Sequence, residues 1–265
     1  MEMTKIPFYK YQGAGNDFIL LDQRHQSYIG AEDQSKIAQL CDRRFGIGAD
    51  GLMLLEKAAG YDFRMVYFNA DGREGSMCGN GGRCIVAYAH FLGVFEERCN
   101  FIAIDGPHEA ILSKPAYVEL KMQEVQHIEA HEHHYILDTG SPHYVAFRES
   151  LEEVDVVKEG RKIRNSPPFA KAGINVNFVC SSAPNQLQVA TYERGVEDET
   201  LACGTGVTAA ALAYHLRQNK TDNLAVQLQV KGGQLEVRYQ ESNGLFHDIW
   251  LCGPAVQVFQ GEIKI

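Results

Sequence analysis

The sequence predicts an α+β protein of two similar halves, each a mixed or antiparallel, barrel-like β-sheet wrapped around one buried helix. Most of the 265 residues alternate short β-like runs with turns. The two longest helical patterns are apolar on nearly every face, so each helix must be buried on most sides. Each also follows a Cys-Gly-X-Gly turn, and these turns, at Cys78 and Cys203, lie 125 positions apart.

The predicted strands are rich in β-branched and aromatic residues, and several alternate in polarity. They are residues 18–21, 63–68 and 117–122 in the first half, and 177–180, 186–192 and 234–239 in the second. The predicted helices are residues 32–41, about 82–92 and about 205–217. Each half therefore combines several strands with one long, apolar helix.

Other residues repeat at the same offset. Three pairs match: Gly79 with Gly204, Gly81 with Gly206, and His90 with His215. The segment 12–18 is also expected to correspond roughly to 139–145. A pseudo-twofold pair of domains would face two equivalent helix N-termini toward one cleft.

The domain boundary is expected in the polar stretch 123–132, where apolar periodicity lapses. We place a first lobe, carrying Cys78, at residues 1–125 and a second lobe, carrying Cys203, at residues 126–265. The histidines in this stretch suggest an inter-domain segment exposed to solvent more than a zinc site, because no matching ligand spacing accompanies them. They are His127, His131, His133 and His134.

Composition excludes several classes of protein. The net charge is −9 and the 25 Lys and Arg are scattered, which disfavours a nucleic-acid partner. No apolar run approaches the roughly 20 residues of a membrane helix, and residues 1–8 lack the apolar core of a secretory signal. Seven cysteines at irregular spacing do not predict a disulfide framework. We therefore expect a cytoplasmic protein without a membrane partner.

The two special cysteines predict acid–base chemistry. A thiol just before a helix meets unsatisfied backbone N–H groups and the positive end of the helix dipole, which commonly lower a cysteine pKa. A thiolate and a thiol on opposite faces of a small substrate could remove and return a proton, inverting a stereocentre. Backbone N–H groups of Gly79, Asn80, Gly204 and Thr205 could stabilise the charge that develops on a carboxylate. No metal or organic cofactor is needed.

A series of motifs resembles the diaminopimelate epimerase family. The motifs are GAGNDF at 13–18, DRRFGIGADG at 42–51, FNADG at 68–72, CGNGGRC at 78–84, GINVNFV at 173–179, YERGV at 192–196 and ETLACGTG at 199–206. Racemases of the proline type share the general fold but carry a histidine where this chain has Asn80. The resemblance therefore favours the epimerase.

The resemblance implies a cofactor-independent isomerase that converts LL-2,6-diaminopimelate into the meso form used in lysine and peptidoglycan synthesis, and it makes a homodimer plausible. One alternative is another amino-acid racemase or isomerase of the same fold, acting on a different small acid. Another is a non-catalytic binding protein that retains the cleft. A redox role for the cysteine pair is disfavoured, because the pair lacks Cys-x-x-Cys spacing.

The resemblance also implies roles for individual residues. Cys78 and Cys203 would be the acid and base, and Gly79, Asn80, Gly204 and Thr205 would bind the reacting carboxylate. The rest of the substrate would be held by Asn16, Asn69, Asn175, Glu193 and Arg194. In this set a guanidinium suits the distal carboxylate and Glu193 the distal ammonium.

His143 and Glu193 would tune the pKa values of the thiols. Two positions depart from the family pattern: Ser141 stands where asparagine is frequent, and Gly51 stands where some members carry glutamine.

Overall fold

Two groups of strands, each surrounding one helix, make up the chain. The computed structural model describes residues 5–218 and 224–264. Residues 1–4, the start of the segment tested for a secretory signal, lie outside this range, as do the extreme ends of the two predicted lobes. No helix in the described ranges is both long and apolar enough to cross a lipid bilayer.

In chain order the strands are β1 (Lys5–Gly13), β2 (Asn16–Asp22), β3 (Gly51–Glu56), β4 (Phe63–Asn69), β5 (Arg98–Ala103), β6 (Gly106–Lys114), β7 (Tyr117–Lys121), β8 (Ile128–Ala130), β9 (Tyr135–Asp138), β10 (Pro142–Phe147), β11 (Asn175–Ala183), β12 (Gln186–Glu193), β13 (Asp198–Thr200), β14 (Leu224–Val230), β15 (Gly233–Ser242), β16 (Leu245–Pro254) and β17 (Val256–Lys264). The helices are α1 (Gln34–Cys41), which follows a 3-10 turn at Ala31–Asp33, α2 (Gly79–Phe91), α3 (Val156–Arg164) and α4 (Gly204–Arg217).

The chain divides into two units that differ from the predicted lobes. Unit 1 comprises residues 1–120 and 254–265, and unit 2 comprises residues 121–253. The first boundary comes five residues before the predicted one. The last strand, which the prediction gave to the second lobe, belongs to unit 1 because β17 pairs along most of its length with β1.

Strand pairing repeats between the units. In unit 1 the order is β17-β1-β2-β3-β4-β5-β6-β7. In unit 2 it is β8-β9-β10-β11-β12-β14-β15-β16, with β13 added at one end of β12. Both orders give the same series of contacts: antiparallel, antiparallel, parallel, antiparallel, parallel, antiparallel, antiparallel. This confirms the prediction of two similar halves.

The register refines the predicted correspondence between halves. In the parallel pair β2–β3, Phe18 lies opposite Gly51, and in the parallel pair β10–β11, His143 lies opposite Asn175. Phe18 therefore corresponds to His143 rather than to Val145. The predicted match of 12–18 with 139–145 was two residues out of register.

The central helices are buried as predicted. In α2, eleven of the thirteen residues are buried, and α2 packs against β1, β2 and β6. α4 packs against β10, β11 and β15. α2 begins three residues earlier than predicted, because its three glycines at 79, 81 and 82 are helical and buried. α4 begins one residue early, at Gly204.

The predicted strands all lie within observed ones, except that β7 ends one residue short at Lys121. The helix expected at 32–41 is shorter, because its first turn is the 3-10 turn. α3 was missed. Its polar composition gives few apolar positions, since only Val156 and Gly160 are buried.

Candidate active site

Cys78 is the N-cap residue of α2. Its backbone is extended, and its Sγ accepts a hydrogen bond from the backbone N–H of Gly81 at 3.2 Å. That N–H is one of the donors that a helix start leaves unsatisfied. The helix N-terminus therefore favours negative charge on this sulfur, as the sequence predicted.

The wall beside Cys78 is apolar. A Cβ on Gly81 would collide with Met53 Cε and would lie 3.1 Å from Cys78 Sγ and 3.5 Å from Phe18 Cζ. Only glycine fits there without movement of a neighbour. The backbone of α2 is thus brought close to the sulfur by the absence of a side chain.

Asn16 and Asn80, both predicted to bind substrate, lie together in unit 1. Asn80 Nδ2 donates to Asn16 Oδ1 at 3.4 Å, and Asn16 Nδ2 donates to Asp50 Oδ2 at 2.6 Å. The wholly buried Arg83 donates to Asn80 Oδ1 at 3.0 Å. These bonds set which end of each amide faces its neighbour.

A charged cluster supports these amides. Arg43 donates to both carboxylate oxygens of Asp17, at 2.9 and 2.7 Å, and to Asp50 at 2.7 Å. The buried ammonium of Lys10 lies 2.8 Å from Asp17 and also donates to Gly48 O. Burial tends to raise the pKa of Asp17, but hydrogen bonds from Arg43 and Lys10 outweigh it and hold that pKa well below its ordinary value.

Asn69 ends β4, directly opposite Gly51 in the antiparallel pair β3–β4. Its Oδ1 accepts a hydrogen bond from Tyr67 Oη at 3.0 Å. A Cβ on Gly51 would lie 2.5 Å from Tyr67 Cε2 and 2.5 Å from Phe68 O. The departure at Gly51 thus has a physical reason, because the ring of Tyr67 occupies the space that a longer residue would need.

Cys203 is the N-cap residue of α4 in unit 2. Its backbone is extended, it is only 8% exposed, and its Sγ lies 3.5 Å from Thr205 Oγ1. The buried Thr139 donates to Thr205 O at 2.8 Å, which ties the β9–β10 turn to the helix start. The helix-start position of both cysteines matches the sequence prediction.

The wall beside Cys203 is polar. A Cβ on Gly206 would collide with Asn177 Oδ1 and would lie 3.3 Å from Cys203 Sγ. Asn177 Nδ2 lies 3.0 Å from the Nδ1 of the wholly buried His143. Burial, with a smaller contribution from the charge of Arg194, lowers the pKa of His143 to about 3.

Asn175 joins two loops of unit 2. Its Nδ2 donates to Ser141 Oγ at 2.7 Å and to Pro142 O at 3.2 Å, while its Oδ1 accepts from the backbone N–H of Arg194 at 2.9 Å. Ser141, the second departure from the family pattern, is therefore an acceptor for Asn175. Its own hydroxyl hydrogen can still be donated elsewhere.

Glu193 and Arg194 stand at the end of β12. The Arg194 side chain is exposed and donates to Ala172 O at 3.1 Å. It lies over Gly173, which has a φ of +74°. A Cβ on Gly173 would lie only 2.6 Å from Arg194 Cδ, so the glycine makes room for the arginine. A guanidinium has five donors, so several are available to a ligand carboxylate.

The sequence missed several residues of these networks. They are Lys10, Asp17, Arg43, Asp50, Thr139 and Asn177. Four of them, Asp17, Arg43, Asp50 and Asn177, stand inside the motifs that carried the resemblance. Asn177 had an available signal, because it stands between Val176 and Phe178 and a polar group inside an apolar run needs a partner.

The histidine-rich stretch is not an inter-domain segment. It forms the antiparallel hairpin β8–β9 of unit 2, in which the rings of His131 and His134 stack at 4.4 Å and His134 stacks on Tyr144 at 4.3 Å. A cavity of about 910 Å³ lies beside this hairpin. Within 5–218 and 224–264, no group of three or more His, Cys, Asp or Glu residues is arranged to hold a metal ion.

Solved structures of low sequence identity share the fold of this chain. The structure aligns with the PhzF-family phenazine biosynthesis protein of Bacillus anthracis at a TM-score of 0.79, with 14% identity, over 99% of this chain and 100% of that one. It aligns with a hydroxyproline epimerase of Agrobacterium vitis at a TM-score of 0.70, with 12% identity, over 98% of this chain and 93% of that one. At these identities the likeness shows the fold alone.

Sequence comparison shows the family. The diaminopimelate epimerase family model matches residues 8–128 and 135–258. The chain is 49% identical over 258 residues to the diaminopimelate epimerase of Flavobacterium psychrophilum, covering 97% of this chain and all of that protein. It is 43% identical over 262 residues to that of Chlorobaculum tepidum, covering 96% and 99%. The chain belongs to the diaminopimelate epimerase family, which confirms the resemblance.

Proposed function

We propose that this chain is a cofactor-independent epimerase that converts LL-2,6-diaminopimelate into meso-diaminopimelate by two-cysteine acid–base catalysis. One observation carries the proposal: in a member of this family, the two buried helices that hold equivalent places in the two units are each capped by a cysteine. Family membership supplies the substrate, and the capping geometry supports the chemistry.

In this mechanism a thiolate takes the proton from the substrate α carbon, and the electron pair of the C–H bond passes into the adjacent carboxylate. The other thiol then donates its proton to the opposite face of the same carbon. The configuration inverts and the two sulfurs exchange protonation states. The hydrogen bond from Gly81 N–H to Cys78 Sγ supports a thiolate at that position.

The backbone N–H groups of Gly79, Asn80, Gly204 and Thr205 receive the charge that grows on the reacting carboxylate. Each lies at the start of α2 or α4, where N–H groups lack a partner within the helix. Because these donors are fixed by the helices, they need little reorganisation during the reaction.

The remaining substrate contacts are proposed for residues that match the family motifs. Arg194 binds the distal carboxylate through two hydrogen bonds, and Glu193 binds the distal ammonium. Asn16, Asn69 and Asn175 help to hold the rest of the substrate. Asn175 also has a structural role. Its hydrogen bonds fix the loop that precedes His143 and the backbone of Arg194.

The enzyme acts in the cytoplasm, in lysine and peptidoglycan synthesis, and forms a homodimer. An apolar, exposed stretch of β17 supports self-association: Val256, Val258 and Phe259 are 38%, 56% and 45% exposed. Val258→Glu should convert a dimer into a monomer in sedimentation or light scattering. A wild-type monomer at micromolar concentration would contradict the homodimer.

Deuterium incorporation tests the proposed reaction. In D₂O, the purified protein should exchange the α hydrogen of diaminopimelate and yield the epimer, observed by NMR and chiral chromatography. Lysine and proline serve as control substrates and should remain unlabelled. Exchange into proline but not diaminopimelate would overturn the proposed substrate.

Variants connect the reaction to the two thiols. Cys78→Ala and Cys203→Ala should each abolish epimerisation. Cys180→Ala is the matched control, because Cys180 is a buried thiol of unit 2 that donates to Glu149 O and lies within β11 rather than at a helix start. Full activity in either helix-cap variant would refute the mechanism.

A further inference from the structure

His143 is a wholly buried imidazole whose two nitrogens have different surroundings. Nδ1 lies 3.0 Å from Asn177 Nδ2. Nε2 has no hydrogen-bond partner within the described residues. The hydrogen on a neutral imidazole can occupy either nitrogen, so the neighbours decide which one carries it.

Neighbouring groups fix the orientation of the Asn177 amide. Its Nδ2 lies 3.2 Å from Tyr144 O, a carbonyl that can only accept, and its Oδ1 accepts from Thr191 Oγ1 at 2.9 Å. The amide nitrogen must therefore face Tyr144 and His143. As an NH₂ group it can only donate, so Nδ1 of His143 is the acceptor and carries no hydrogen.

We propose that Asn177 is a positioning residue that holds His143 as the neutral tautomer with its hydrogen on Nε2. This inference rests on the proposed function and refines the predicted role of His143 in tuning the thiols. In this tautomer His143 is a hydrogen-bond donor without charge, so it neither competes for the substrate proton nor adds a positive charge to this buried region.

The position of Asn177 connects this tautomer to the reacting sulfur. Asn177 Oδ1 and Cys203 Sγ both lie next to the position that a Cβ on Gly206 would occupy. The buried Nε2–H of His143 has no acceptor within the described residues, which costs free energy. This N–H can stabilise negative charge that appears nearby during the reaction. Burial and the positive charge of Arg194 both disfavour protonation of the ring, in agreement with the neutral form.

NMR of the wild-type protein tests the tautomer directly and needs no substrate. In ¹⁵N-histidine-labelled protein, the long-range ¹H–¹⁵N pattern of His143 should show an unprotonated Nδ1 and a protonated Nε2, unchanged from pH 5 to pH 9. His143→Gln identifies the signal among the ten histidines. A protonated Nδ1, or a titration inside this range, would overturn the proposal.

Asn177→Asp tests the consequence for catalysis. A carboxylate accepts from Nδ1–H, which moves the hydrogen to Nδ1 and favours imidazolium. We expect kcat to fall about 100-fold, the size of loss expected when one positioned hydrogen-bond donor is removed, with a new ionisation in the pH profile and little change in KM. Asn165→Asp makes the same change of charge at an exposed position at the end of α3. It should leave kcat, the pH profile and KM unchanged.

A second variant covers the possibility that Asn177→Asp does not fold. Thr191→Val removes one bond to Asn177 Oδ1 but leaves the bond to Tyr144 O, so the NMR pattern of His143 should persist. A tautomer change in Thr191→Val would count against the assigned cause. If the wild-type protein shows the expected tautomer but no diaminopimelate turnover, the proposed function fails while the assignment of the tautomer stands.

Discussion

The starts of α2 and α4 occupy equivalent places, yet the groups beside their cysteines are chemically opposite. Phe18 and Met53 line the wall beside Cys78. The corresponding positions on β10 and β11 are His143 and Asn177; Asn177 borders the start of α4 beside Cys203, and His143 lies against Asn177. The backbone of the repeat fixes where a side chain stands, and the side chain decides whether the neighbouring sulfur meets an apolar or a polar surface.

The supporting contacts differ in the same way. In unit 1, the loops near the site are held by ion pairs among Lys10, Asp17, Arg43 and Asp50. In unit 2, Asn175 holds the equivalent loops through neutral hydrogen bonds. Ion pairs therefore hold these loops in unit 1, and the amide of Asn175 holds the equivalent loops in unit 2. The repeated fold thus carries different supporting contacts in its two units.

Replacing the thiols gives the largest effect and tests whether the two units share the chemistry. Cys78→Ser and Cys203→Ser should each lower kcat about 10³-fold, because each face of the α carbon needs its own proton carrier. Epimerisation assays with diaminopimelate measure this. A loss confined to one variant would show that only one unit supplies a catalytic thiol.

Asp17→Asn should reveal how strongly unit 1 depends on charge. The variant removes the carboxylate that faces the buried Lys10, and breaking such a pair costs about 3 kcal/mol or more of unfolding free energy. Urea unfolding at pH 7 measures the loss. Asp71→Asn, an exposed change in the same unit, should cost less than about 0.5 kcal/mol.

The same pair predicts a pH dependence. Because the folded-state pKa of Asp17 is lowered, its contribution is fully present above the unfolded value of about 3.9 and is lost as the pH falls toward the folded value. The stability gap between wild type and Asp17→Asn should therefore narrow below about pH 4. A gap that stays constant down to pH 2 would contradict the ion pair as its source.

Gly206→Ala and Gly81→Ala compare the polar and apolar walls directly. Both substitutions gain the same helix propensity, but the new methyl group meets the flexible end of Met53 in unit 1 and the hydrogen-bonded Asn177 in unit 2. We expect a loss of about 2 kcal/mol for Gly206→Ala and about 1 kcal/mol for Gly81→Ala. Equal decreases in Tm for the two variants would show that Asn177 moves aside for the new methyl group as easily as Met53 does.

Arg194→Lys tests the role of unit 2 in binding the distal end of the substrate. Lysine keeps the charge but loses the paired hydrogen bonds, so KM for diaminopimelate should rise about tenfold with kcat little changed. Arg73→Lys, an exposed arginine of unit 1, is the control. An unchanged KM would remove Arg194 from the distal contact.

Several features could be predicted because they are local. An apolar surface on every side of residues 82–92 and 205–217 requires burial, and glycines after a cysteine mark a helix start that can accept charge. These patterns lie within about a dozen residues. They predicted the central helices and the capping cysteines.

The partners of the polar residues could not be predicted in this way. Asn16 meets Asp50, and His143 meets Asn177, and in both cases the two residues are 34 positions apart. Their meeting depends on the parallel register of β2 with β3 and of β10 with β11. A one-residue slip would turn every side chain to the other face of the sheet.

The sequence by itself determined that two helices must be enclosed and that each begins after a cysteine, because apolar periodicity and the Cys-Gly-X-Gly turns are local features of the chain. Only the tertiary structure decided that the last strand completes unit 1, that Phe18 and His143 share a position, and that Asn177 sets the hydrogen of His143. These contacts depend on pairing between strands that are distant in the sequence. The register of that pairing is determined by which face of the whole sheet is buried, and no single segment specifies it.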